Sequence, residues 1–204
     1  YDRFVAEGIL PDSAYPVTEP KIQPDWLQEQ IGGKDFKPKN LDLEHLEVRL
    51  VPSYSLWDGR FANNGWLQEC PDPITKLTWD NAILVSPLVA QALEILPEPG
   101  LMSHLGQSAI RENQFQKGRE IAQLGEINLG GIRVIGPLHV QPGLADYTLV
   151  LPLGYGRTQG GPLAHGTGFS AYPLQTQKDL SCRLGATLTV LDQTYPLANT
   201  QEHW

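Results

Sequence analysis

The chain has 204 residues, 41% of them hydrophobic and 19% charged, a balance that suits one globular domain with its own core. Its formal net charge is -8 and its 15 Lys and Arg are dispersed, which excludes a nucleic-acid surface, since neutralising phosphates takes clustered cations. No apolar run approaches the roughly 18 residues of a membrane helix, so direct membrane insertion is not expected. No charged start followed by an apolar stretch marks a secretory leader, and a first residue that is Tyr1 rather than Met suggests a piece of a longer protein.

In chain order, Tyr1 to Leu10 spaces Tyr1, Phe4, Val5 and Ile9 near a helical period and stops at Gly8 and Pro11, so it reads as the end of a helix. Residues 11–40 carry Pro11, Pro16, Pro20, Pro24 and Pro38 with little periodicity, the composition of an extended connector that Trp26, Leu27 and Ile31 could pin down. The organisation expected is therefore a connector over 1–45 and one domain over 46–204. Leu46 to Leu50 is a short strand, followed by a polar turn, Asp58-Gly59-Arg60 through Gly65, rich in Asn and Gly. Trp66 to Pro73 should be extended, because Pro71 and Pro73 oppose helix. Thr78 to Val85 reads as a strand. Ser86-Pro87 caps a helix over Leu88 to Ile95. Both Trp66 and Trp79 are expected in the core.

Residues 96–118 have no clear period and read as a surface insertion. Arg119 to Asn128 and Ile132 to Val140 flank Gly130-Gly131, a hairpin signal. Gln141-Pro142-Gly143 is a turn, Tyr147 to Leu151 a strand, and 154–168 a long glycine-bearing loop. Ala186 to Leu191 is the last strand expected, with Tyr195 onward reading as a truncated tail. Short strands, Gly/Pro turns and one or two helices make a mainly β fold with a few helices, and a small barrel is one way to close its edges.

Chemistry-bearing motifs are few. Cys70 and Cys182 stand 112 positions apart with no C-x-x-C, whereas an iron-sulfur cluster takes about four thiolates. They read as two buried free thiols, with a disulfide as the alternative in an oxidising compartment. The five His share no metal-ligand spacing, and His165 has no acidic or second His neighbour. Gly154-Tyr155-Gly156-Arg157-Thr158 lacks the Gly-Lys-Ser/Thr ending and the following helix of a phosphate loop. No Ser/His/Asp order or reactive-Cys context stands out.

WDGRFANNGWLQECPDPITKLTWDNAILVSP, then QPGLADYTLVLPLGYGRTQGG, then GTGFSAYPL, over roughly residues 46–204, resemble the C-terminal domain of the molybdopterin-oxidoreductase-like region of the iron-sulfur subunit of bacterial alternative complex III, a respiratory quinol oxidoreductase. The resemblance implies a double-psi β-barrel of the molybdopterin dinucleotide-binding type. It also implies a position on the periplasmic face of the bacterial inner membrane. Partners would be other domains of the same subunit and other subunits of the respiratory complex. In cofactor-binding relatives molybdopterin guanine dinucleotide would face Arg60, Asn63, Asn64 and Gly65 in the first loop and Tyr155, Gly156, Arg157, Thr158, His165 and Ser170 in the second. Ser170 departs from the Asn usual there and offers a shorter reach.

Two main functions follow. One is a structural domain without its own cofactor, inactive alone, whose parent subunit carries the iron-sulfur clusters elsewhere. The other is a molybdopterin guanine dinucleotide-binding domain of an active oxidoreductase. An independent acidic binding module is a third reading. In each of the first two, loops 58–65 and 154–168 should meet at one end of the barrel with Arg60, Asn63 and Arg157 at the rim of a shallow groove. Filling of that groove by Tyr155, His165 or Tyr172 favours the first reading.

Overall fold

A computed structural model describes residues 2–8, 13–31, 40–95, 115–116 and 119–200. The chain divides into two compact units, residues 1–39 and residues 40–204. In the first unit, α1 (Asp2–Glu7) carries an Arg3–Glu7 ion pair at 3.0 Å and ends at Gly8, whose N–H reaches the Phe4 carbonyl at 2.8 Å. A second helix, α2 (Pro24–Ile31), interrupts the expected irregular connector. Pro24 at the first helical position and Asp25 in the first turn are a sound helix start, and helix-forming residues follow.

The second unit is mainly β, with short helices. A single mixed sheet contains β1 (Leu46–Pro52), β2 (Leu77–Thr78), β3 (Ile83–Val85), β4 (Phe115–Gln116), β5 (Arg119–Leu129), β6 (Ile132–Val140), β7 (Thr148–Leu153) and β8 (Cys182–Asn199). Six of these return on themselves as a ring, β8–β1–β7–β3–β6–β5 and back to β8. The β1–β7 and β3–β6 pairs are parallel, and the other four are antiparallel. Taking β1, β3 and β5 as a first half and β6, β7 and β8 as a second, every ladder of the ring joins one half to the other. Exchanging β1 with β6, β3 with β7 and β5 with β8 leaves the list of pairings unchanged.

Alternation places one face of each ring strand inside, so Val48, Ile83, Ile127, Leu138, Leu151 and Leu188 come from six strands into one buried cluster. The hairpin at Gly130-Gly131 forms as expected. So does the helix after Ser86: α4 (Pro87–Ala92) begins with Ser86 Oγ accepting from the Val89 N–H at 3.3 Å, and Val89 and Ala90 pack into the barrel core.

Several expectations change. The Thr78–Val85 strand is broken into β2 and β3, because Trp79 takes the left-handed region at φ 64. Trp79 is only half-buried, and Trp66 is 88% exposed. Trp66 belongs to a short helix, α3 (Gly65–Glu69), in the stretch expected to be extended; Asn64 caps it, and Gln68 is the helix residue that turns inward. The expected tail after Leu191 is the outer half of β8. There Thr194 to Ala198 pair with β5, and Ala198 and Asn199 also pair with β2. Of the surface insertion expected over 96–118, residues 96–114 and 117–118 lie outside the described residues, and Phe115–Gln116 form β4, paired with β5. Among the described residues no helix is long and apolar enough to cross a membrane.

Candidate functional site

β1 and β7 run parallel and finish in register at Pro52 and Leu153, so the chain leaves both strands at the same end of the barrel. This is how the two glycine-bearing loops come together. In the first, Ser53 and Trp57 exchange both backbone hydrogen bonds at 3.0 Å, and Ser53 Oγ accepts from the N–H groups of Ser55 and Leu56 at 3.2 and 3.1 Å. Trp57 closes this turn in the left-handed region, φ 57, a conformation a bulky residue holds only when its surroundings impose it. The second loop imposes it: a Cβ on Gly154 would stand 2.9 Å from the Gly59 nitrogen and 3.0 Å from the Trp57 carbonyl oxygen. Glycine lets the two backbones touch.

Each predicted site residue has a definite place in this contact. Arg60 Nε and Nη2 donate to the two oxygens of Asp58 at 2.9 and 2.8 Å, and its backbone N–H adds a third bond at 3.1 Å. The Arg60 guanidinium thereby holds the Asp58 carboxyl down at about 2, and Asp58 in turn raises Arg60. Asn63 Oδ1 accepts the Leu163 N–H at 3.1 Å, a staple between the loops, and packs where a Cβ on Gly161 would be. Asn64 Oδ1 caps α3 through the N–H groups of Trp66 and Leu67, and Gly65 opens that helix against the Leu163 side chain.

In the second loop Tyr155 packs with Leu56, Ala62, Ala164 and Leu67 in a small apolar cluster that the loops share, and burial pushes its hydroxyl upward. Gly156, at φ 73, lies against the backbone of Ser170; a Cβ there would run into the Ser170 nitrogen. The Thr158 carbonyl is taken by His165 Nδ1–H at 2.7 Å, so the exposed His165 folds onto its own loop. Tyr172 Oη donates across to the Asp58 carbonyl at 2.7 Å. Arg157 is exposed beside Gly59 and Gly160, and among the described residues its guanidinium has no hydrogen bond or ion pair.

Sequence reasoning missed Asp80 and Asn81, which tie the glycine loop to the barrel. Asn81 is buried, with Nδ2 donating to the carbonyls of Pro152 and Phe169 at 2.9 and 3.0 Å and Oδ1 accepting the Phe169 N–H at 2.9 Å. Asp80 accepts the Gly168 N–H and the Tyr195 hydroxyl, both at 3.1 Å. Burial raises its carboxyl, and these two hydrogen bonds oppose that shift. The available signal was an Asp-Asn pair directly before the apolar run Ala82 to Val85.

A pterin dinucleotide would need an open slot lined with free donors for its diphosphate. Here the backbones of Gly59 and Gly154 are in contact, Tyr155 occupies the space between the loops, and Arg60, Asn63 and Asn64 already serve internal acceptors and donors. The residues as placed do not fit that group. Cys70 is exposed and Cys182 half-buried, both free thiols, although burial was expected for both. Among the described residues no three His, Cys, Asp or Glu side chains gather where they could hold a metal ion. Compared with known proteins, the chain matches no family model and no curated relative.

Proposed function

We propose that residues 40–204 are a double-psi β-barrel serving as a non-catalytic structural domain in the iron-sulfur subunit of a bacterial respiratory quinol oxidoreductase, on the periplasmic face of the inner membrane. The double-psi reading draws support from the two interlocked halves, each of whose strands pairs only with strands of the other within the ring. The absence of a resident cofactor is supported by one observation above the others: apart from Arg157, the side chains that would grip a pterin dinucleotide are engaged within the protein, Arg60 by Asp58, Asn63 by the Leu163 N–H across the loops and Asn64 by the cap of α3. In this reading the joined loops are a rigid end-plate, which other domains of the same subunit and neighbouring subunits would pack against.

A second reading, a molybdopterin guanine dinucleotide-binding domain of an active oxidoreductase, is favoured by Arg157, an exposed cation among glycines at the same end of the barrel. The two separate cleanly by experiment. Mass spectrometry for pterin and elemental analysis for molybdenum on the intact parent subunit should find neither at stoichiometric level. Stoichiometric pterin that is lost on Arg157→Ala would establish the second reading instead.

A further inference from the structure

The barrel interior uses one face of each strand, yet β3 is apolar on both, and so is β7 beyond Thr148. The sequences ILV and TLVLPL leave Leu84, Val150 and Pro152 on the outer side, and Val51 joins them from β1 through its pairing with Pro152. An apolar outer face calls for cover. The long first-half connection supplies part of it, with the turn at Ser53 to Trp57 on one side and Asp72 to Leu77 on another. Beneath it remains a cavity of about 550 Å³, within the usual size of small-molecule sites.

Several of the polar groups around this cavity are already engaged. Asp72 Oδ1 accepts the N–H groups of Ile74 and Thr75 at 2.9 and 2.8 Å, and Asp80, Asn81 and Ser53 hold the bonds described above. Among the described residues, the cavity lining contains two carboxylates and no Lys, Arg or His. What it offers a ligand is apolar contact with Leu84, Val150 and Leu144 and the rings of Trp57 and Tyr155, in a setting that repels anions. The rim is unusually apolar for a surface, with Trp57 53% and Ile74 61% exposed. Trp57 is presented there by its left-handed backbone, which contact with Gly154 holds in place.

We propose that this cavity is a binding site for a small uncharged molecule with an apolar, ring-bearing body, on the outer wall of the barrel where β1, β7 and β3 lie side by side. The proposal is independent of the family reading, since it rests on strand faces and hydrogen-bond inventory alone.

The test uses the full chain and a neutral fluorescent probe, N-phenyl-1-naphthylamine, with its sulfonated relative 8-anilinonaphthalene-1-sulfonate for comparison. The neutral dye should bind saturably at one site with a Kd on the order of micromolar, and the sulfonate about tenfold more weakly. Val150→Trp, which fills the cavity from its floor, should weaken the neutral dye at least about tenfold. Ile74→Asp, at the exposed mouth, should weaken it less while leaving the fold intact, and it decides the matter if Val150→Trp does not fold. Absence of saturable binding, equal or tighter binding of the sulfonate, or binding unchanged in the folded variants would each overturn the proposal.

Discussion

The two halves of the barrel share a strand plan and differ in what joins the strands. In the second half β6 passes to β7 through residues 141–147, a short turn built on Gln141-Pro142-Gly143. In the first half the equivalent step, β1 to β3, takes residues 53–82 and carries α3, β2, the Asp58–Arg60 turn, the Asp80–Asn81 anchor and the roof of the outer cavity. The ring itself is close to symmetric in its pairing, so the elaboration lies in the connections. What distinguishes this barrel chemically is therefore concentrated where one long loop of the first half meets the glycine loop of the second.

The largest effect should come from dividing the halves. Fragments 40–130 and 131–204 each lack every partner used in the ring, so neither should show β-sheet circular dichroism alone, whereas mixing them should restore it. A folded first-half fragment would break the comparison. Within the intact chain, glycines of similar backbone conformation should differ between the elaborated and the plain end. Gly156→Ala puts a Cβ into the Ser170 backbone and should cost at least about 3 kcal/mol by urea titration. Gly143→Ala, at φ +84 with nothing within 4 Å, carries only the left-handed strain and should cost about 1 kcal/mol.

Smaller effects sharpen the picture of the joined loops. Asn63→Ala removes the staple to Leu163 and should cost about 1 kcal/mol, while Trp66→Ala on the exposed side of α3 should stay within about 0.5 kcal/mol. The smallest is a pH effect at Asp58. Its carboxyl lies at about 2 when folded, below an unfolded value of about 3.9, so its contribution is complete above the unfolded value and disappears as pH falls through about 2. Any stability difference between the wild type and Asp58→Asn should follow that window; a difference that persists unchanged below pH 2 would assign it to something other than the Arg60 pairing.

Local signals carried much of the strand plan. Gly130-Gly131 between two β-type runs specified the hairpin, and Ser86-Pro87 specified α4, because turn and cap chemistry act over a few residues. The errors share the opposite property. The outer half of β8, with Asp192, Gln193 and Pro196, has little strand character of its own and is extended because β5 and β2 pair with it. Pro71 and Pro73 argued against a helix at 65–69, yet Asn64 caps one that ends before them. The meeting of the two loops came from resemblance, since Asn63 and Leu163 are 100 positions apart and Tyr172 and Asp58 are 114 apart. Their polar residues looked available in sequence only because the partners that engage them were out of view. The outer cavity was legible in principle: TLVLPL has no polar alternation, and a strand apolar on both faces is covered on both.

The interlocking of the halves also governs how the chain can be made. A ribosome delivers β1, β3 and β5 before any of their ring partners exists, and β1 gains its second neighbour only when residues 182–186 have emerged. Throughout that interval strands apolar enough to build the core have unpaired edges, the state in which a nascent chain is most exposed to association with its neighbours. Closure then waits on β8, which joins β1, β5 and β2 in a single strand. The ring should accordingly close only once residues 182–199 have emerged.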